Sequence, residues 1–391
     1  MPAAVAYLDT ETEYCILVHV SLPMRCLICA ALLVPTRALA AVAAQPQKLL
    51  GQYVYRPPTG TAPKAIAFFL GGAFVGAAPQ LAYGKILQTL ADNGYVVFAT
   101  PYRLTFDYLE LCDRVLTGAE PCHAALVEEY GDLPLVGIGH SCGALLHMLL
   151  SSAFRDTGGL ADVERAANVL VSFNNKPASA AIPFFGDLVA PAASSVLRLD
   201  NDPLLQPWRQ AVAASRARIE SLASSDAATR GASPSAIELA AQALPVLDQI
   251  EPILREIDGG QIEFTPTPEE ARRSAAKLYE ARRTLVLRFT DDTLDESPPL
   301  PAVLQRGGDV RLASLPGTHL TPLTPSAPDE PPLLPLPPLP LPISSPMLPT
   351  SFNAAAASLA GARTADFDEA SRVIVDFLDE SLRQTGRAAQ G

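Results

Sequence analysis

From Lys64 onward, short runs that are apolar at every position alternate with longer runs that are apolar on one face. Ala65–Leu70 and Tyr95–Thr100 are continuous apolar segments, the pattern of strands covered on both sides in a parallel sheet. Pro134–Ile138, Ala167–Phe173, Thr284–Phe289 and Val310–Leu315 predict further strands. Between them, Pro79–Asn93 has helical spacing and is stopped by Gly94. Asp107 is placed to open a helix that runs toward Tyr130, and Ala144–Leu150 continues as helix. Asp366–Arg383 is amphipathic, with Val373, Ile374, Phe377 and Leu378 available to one face. Strands separated by helices predict an α/β architecture, a mostly parallel sheet with right-handed crossovers and helices on both faces.

The stretch between the strands ending at Phe173 and beginning at Thr284 has a different composition. Leu205, Trp208, Val212, Ile219 and Leu222 recur at helical spacing, as do Ile237, Leu244, Leu247, Ile250, Leu254 and Ile257. Thr267-Pro268-Glu269-Glu270 forms a capping box with proline at N1 and opens a further helix. Residues 196–281 are therefore expected to form a helical cap over the carboxyl edge of the sheet. The core comes in two parts, 48–195 and 282–391, the second interrupted by a proline-rich insertion at 322–350. Its densest part, 331–342, should be polyproline-like and exposed, and is a weak candidate for docking a proline-binding module. Residues 1–47 read as a targeting segment: Arg25, a short apolar core at Cys26–Val34, then Ala38-Leu39-Ala40. That core is too short to span a bilayer, so no stable membrane span is expected. A start at Met24 is the competing reading, because Asp9, Glu11 and Glu13 are unusual in such a peptide.

Composition narrows the function. The net charge of −12, with no basic patch interleaved with aromatics, argues against nucleic acid as a partner. The six cysteines have no disulfide-framework spacing, and Cys26-Leu-Ile-Cys29 precedes any βαβ unit, so neither a metal nor a redox cofactor is expected.

The chemistry gathers at Gly139-His140-Ser141-Cys142-Gly143. A strand precedes this G-x-S-x-G and a helix follows it, the context of a nucleophile elbow, in which a strained turn lifts the central hydroxyl clear of the sheet. A serine needs a base, and the base an orienting carboxylate. Of the five histidines, His19 lies in the targeting segment, His123 precedes the elbow, His140 is inside it and His147 is on the helix leaving it. His319 remains, after the last strand, where an α/β hydrolase carries its base. The acid should follow the preceding strand. Asp292 is the first choice there, with Asp291 and Asp295 in reserve, in the chain order Ser, Asp, His of α/β hydrolases. The oxyanion donors would be the backbone N–H of Cys142 and that of Gly72 or Ala73, in the glycine-rich turn after the first strand.

Five blocks together carry a resemblance: Gly71–Pro79, Ala99–Tyr102, Ser172–Asn175, Phe289–Thr293 and Gly317–Pro322. On these the chain resembles the α/β-hydrolase-like family of unknown function numbered thirteen-fifty, of cyanobacteria and plastids. The likeness covers about residues 48–322 and the last helix. It implies the α/β-hydrolase fold and, for a eukaryote, a plastid (chloroplast) address; it implies no substrate. The expected activity is a serine hydrolase acting on an ester or thioester of a small, acyl-lipid-like molecule. The alternative is a protein that keeps the fold as a binding or scaffold module without turnover.

Overall fold

A computed structural model describes residues 46–155, 157–181, 245, 246, 248–323 and 364–388, and isolated positions between 210 and 220. Residues 1–45 of the expected targeting segment, most of 196–249 with Trp208, and the proline run at 331–342 lie outside the described residues, while Gln47 at the expected end of that segment belongs to a strand of the sheet.

The sheet has eight strands in the order β1-β2-β4-β3-β5-β6-β7-β8. They are β1 (Gln47–Leu49), β2 (Gln52–Tyr55), β3 (Ala65–Leu70), β4 (Tyr95–Ala99), β5 (Leu135–His140), β6 (Arg165–Val171), β7 (Arg283–Phe289) and β8 (Asp309–Leu315). From β3 onward, neighbouring strands pair in parallel. β1 and β2 form an antiparallel hairpin, and β2 joins β4. Sequence reading misses this hairpin because its strands are short and carry Gln47, Lys48 and Gln52. It closes through Leu50 and Gly51, both at positive φ (47° and 86°), as a two-residue primed turn needs.

Strand periodicity divides the core. Ala65, Ala67 and Phe69 of β3 enter one buried cluster, while Ile66, Phe68 and Leu70 enter the other. The first cluster is completed by helix α1 (Gly84–Asp92), through Leu87 and Leu90, and by the last helix. The second is covered by α2 (Tyr108–Tyr130), α3 (Cys142–Leu150), α4 (Ile250–Asp258) and α5 (Pro268–Leu278). The last helix, α6 (Thr364–Ala388), lays Phe367, Ile374, Phe377 and Leu378 on the first face. Asp379 of α6 meets Lys64 at 2.8 Å and accepts the Tyr95 hydroxyl at 2.6 Å; Glu380 meets Arg283 at 3.0 Å.

Two differences bear on the site. The helix expected over Pro79–Asn93 breaks at Tyr83 into a one-turn piece and α1. The capping box at Thr267 is present, but α5 packs on α3, with Ala271 and Ala275 wholly buried in the second cluster. This end of the expected 196–281 cap is thus a helix of the core layer, because its small residues allow close approach to α3. α4, in contrast, leans on the loops above the sheet. Gln249 Oε1 accepts the Leu104 N–H at 2.9 Å, and Glu256 accepts the Phe106 N–H and Thr105 hydroxyl at 2.8 Å. Among the described residues no helix is long and apolar enough to cross a membrane.

The chain leaves β3 toward β4 and then returns to β5 on the other side. Loops diverge at such a reversal and open a crevice at the carboxyl ends of the strands. The turns after β3 and β5 flank that crevice, so Gly72 and Ser141 are placed there by connectivity alone.

Candidate active site

Ser141 sits between β5 and α3 at φ 56°, ψ −118°, a left-sided backbone that costs a non-glycine residue strain. Its neighbours make the turn possible. A Cβ added at Gly139 would strike the Gly143 carbonyl, and one added at Gly143 would strike that of Leu70. The Ser141 N–H is held by the Val171 carbonyl at 2.9 Å.

His319, from the loop after β8, brings Nε2 to 3.0 Å from Ser141 Oγ. Its Nδ1 lies 2.9 and 3.1 Å from the two carboxylate oxygens of Asp292. A carboxylate accepts, so Nδ1 carries the proton and Nε2 is bare toward the serine hydroxyl. Asp292 Oδ1 also accepts the N–H groups of Leu294 at 2.8 Å and Asp295 at 3.1 Å. Burial pushes the Asp292 carboxyl up, but the His319 ring, its hydrogen bond and the Leu294 N–H outweigh this and hold it below the ordinary carboxylate range. The reserve acids lie apart. Asp291 is exposed and joins the loops only through its N–H to the Gly317 carbonyl, at 2.9 Å. Asp295 pairs with Arg288 at 3.5 Å and accepts the Ser297 hydroxyl at 2.5 Å; burial raises its carboxyl.

Among the described residues, the N–H groups of Cys142 and Ala73 have no acceptor, as donors awaiting an oxyanion would. Gly72 differs from the sequence expectation: its N–H is donated to the Tyr83 hydroxyl at 2.7 Å, so of the two it is Ala73 that remains free. The Cys142 thiol is buried and pushed up to about 12 by burial, which removes it as a nucleophile. His123 lies on α2 against Phe98, and His147 is wholly buried beside Phe68.

The turn after β3 is fixed from several sides. The Tyr102 hydroxyl donates to the Gly71 carbonyl at 2.5 Å, and Gln249 Nε2 to the Phe74 carbonyl at 2.7 Å. Phe74 itself is at φ 62°. Sequence reading misses Tyr83, Tyr102 and Gln249, since each reaches the turn from a different segment and no spacing signals it. The cavity above Ser141 is walled by Phe74, Leu104, Tyr108, Phe264, Leu294, Leu320 and Leu323, with Asn174 among its few polar groups. Phe264 stacks on Tyr108 at 4.6 Å and on Phe106 at 5.2 Å between ring centres. No cluster of metal-ligating side chains occurs among the described residues.

A family model described as "Protein of unknown function (DUF1350)" matches residues 46–202 and 219–327. No curated protein matches the sequence. Among solved structures, the chain is similar to esterase B from Lactobacillus rhamnosis, at 14% identity and a TM-score of 0.43, over 87% of this chain and 83% of that one. It is also similar to the thioesterase domain from the curacin biosynthetic pathway (14%, TM-score 0.37, 70% and 90% covered). A third is the type II thioesterase BorB from the borrelidin biosynthetic cluster (18%, TM-score 0.37, 70% and 91% covered).

Proposed function

The chain belongs to the DUF1350 family of proteins of unknown function, and from that premise we propose that it is a serine hydrolase cleaving an ester or thioester of an apolar acyl group. The observation that carries this reading is the unbroken run from Asp292 through both nitrogens of His319 to Ser141 Oγ, at 2.9 and 3.0 Å. Ser141 Oγ attacks the acyl carbonyl as His319 Nε2 takes its proton. The carbonyl oxygen, now negative, is held by the Cys142 and Ala73 N–H groups. His319 then hands the proton to the departing alcohol or thiol, leaving the acyl group on Ser141. Water, deprotonated by His319, attacks the acyl-serine; His319 returns that proton to the departing Ser141 Oγ, and the acid is released. Asp292 holds the ring tautomer throughout and stabilises the imidazolium that forms. The apolar walls favour the acyl part of the substrate, where each buried methylene contributes about 0.8 kcal/mol. Residues 1–47 are proposed as the plastid address.

A fluorophosphonate probe tests the reading. Wild type should label and Ser141→Ala should not. A wild-type protein that stays unlabelled at every pH from 6 to 9, while binding acyl ligands, would instead make it a scaffold that has lost turnover.

A further inference from the structure

The three loops that meet at Ser141 have no direct backbone link to one another at the point of reaction. The oxyanion turn follows β3, the elbow follows β5 and His319 follows β8. Behind the serine, however, two buried side chains join the first to the third. Gly72 N–H donates to the Tyr83 hydroxyl at 2.7 Å. That hydroxyl lies 2.8 Å from His140 Nδ1, and His140 Nε2 lies 2.9 Å from the backbone carbonyl of His319. The proton positions follow from the ends inward. A carbonyl only accepts, so His140 Nε2 carries the hydrogen; Nδ1 is then bare and accepts from Tyr83, whose oxygen still accepts from Gly72. Each donor has an acceptor, and the chain runs in one direction.

We propose that Tyr83 and His140 are positioning residues, a brace that sets the distance between the oxyanion turn and the His319 loop around Ser141. The proposal rests on the serine-hydrolase reading and goes beyond it by assigning work to two residues that do not touch substrate. Three further observations support it. The helix over Pro79–Asn93 is interrupted at Tyr83, and its ring is fully buried against Phe69 and His140. The Gly72 N–H is taken by Tyr83 while the next amide, Ala73, has no acceptor among the described residues, so the brace also selects which amide serves the hole. Burial, together with the nearby His319 ring, lowers the His140 pKa to about 3, so it stays the neutral tautomer across the working range of a histidine base. A hydrogen-bonded chain in a buried interior holds geometry more firmly than loops do, and small misplacements of reacting groups are costly in rate.

Three variants test it: Tyr83→Phe, which removes only the hydroxyl; His140→Leu, which removes both ring nitrogens; and His140→Gln, whose amide offers an acceptor and a donor at nearly the ring's spacing. With a p-nitrophenyl ester, Tyr83→Phe and His140→Leu should each lower kcat about 10- to 100-fold with KM within about 2-fold, and slow fluorophosphonate labelling equally. The double variant should lose no more than the worse single one, since both break one chain. His140→Gln should recover most of the lost kcat. Wild-type kcat in both single variants, additive losses in the double, or no recovery with glutamine would each overturn the brace. In the last case equal losses in His140→Leu and His140→Gln would mean that His140 serves packing only. A wild type that neither labels nor turns over would remove the hydrolase reading and the brace with it; a wild type that labels beside unaffected variants would remove the brace alone.

Discussion

His319 has one nitrogen for each neighbour, and the sequence specified the residue better than the neighbours. Elimination among five histidines leaves His319, because the others fall before, within or directly after the elbow. Asp292 is harder, since Asp291 and Asp295 are nearly as close in sequence. The difference is where each carboxylate turns: inward to Nδ1 for Asp292, to solvent for Asp291, to Arg288 for Asp295. Spacing carries no information about that. Asp292→Asn should therefore lower kcat by about 10³- to 10⁴-fold, while Asp291→Asn stays within a few-fold of wild type. Steady-state kinetics on a soluble ester checks both, and equal losses would return the choice of acid to the reserves. The choice of oxyanion amide was beyond sequence for a similar reason. Gly72 and Ala73 are adjacent, and only a tyrosine 11 positions downstream separates their roles.

Elements come together at the elbow with almost no free space. α3 crosses β5 at Gly139 and the end of β3 at Gly143 so closely that a Cβ at the first would enter the Gly143 carbonyl and one at the second the Leu70 carbonyl, and backbone cannot step aside as a side chain can. Gly143→Ala should destabilise the protein by about 3 kcal/mol or more, or prevent folding, measurable as a loss of soluble protein or a large drop in Tm. A variant as stable as wild type would contradict this crossing. β3 and β4 were legible because they are apolar throughout. The β1–β2 hairpin was not, because its polar edge residues read as loop. α5 read as part of the cap because its capping box is visible in sequence, whereas its packing against α3 is not. The cavity walls come from five separate segments, namely the turn at Phe74, the loop and helix start at Leu104 and Tyr108, Phe264, the loop of Leu294 and the loop of Leu320. Since all are apolar there, kcat/KM should rise about three- to fourfold per methylene from acetyl upward until the space is filled. A series of p-nitrophenyl esters from acetyl to octanoyl measures this, and a flat or falling series would take the walls out of acyl recognition.

For the molecule as a whole, acid is the sensitive direction. Burial, with help from His319, holds His140 down to about 3; burial, with help from Arg165, does the same for His147. The unfolded chain takes up protons at both as pH falls through about 6.5, which the folded chain refuses. Stability is thus full above about 6.5 and is lost toward pH 3, with a slope of up to about 1.4 kcal/mol per pH unit for each histidine. Asp292, whose folded pKa is depressed, adds a loss only below about 4. Tm recorded at pH 7, 6, 5 and 4 should fall steadily, and His147→Leu should flatten the decline; a constant Tm down to pH 4.5 would contradict the buried neutral rings. The last helix has a different consequence, one of timing. Asp379 reaches back 315 positions to Lys64, and α6 covers β6, β7 and β8 on the face where α1 covers β4, so that part of the face stays uncovered until α6 has been synthesised. A nascent chain must keep those strands open until α6 emerges, and any chaperone or translocation machinery that handles it before then meets bare apolar strand. Chains stalled on the ribosome just before Thr364 should be digested by protease as readily as unfolded protein, and those extended past Gly391 by a linker should resist; early resistance would mean that the sheet closes without α6.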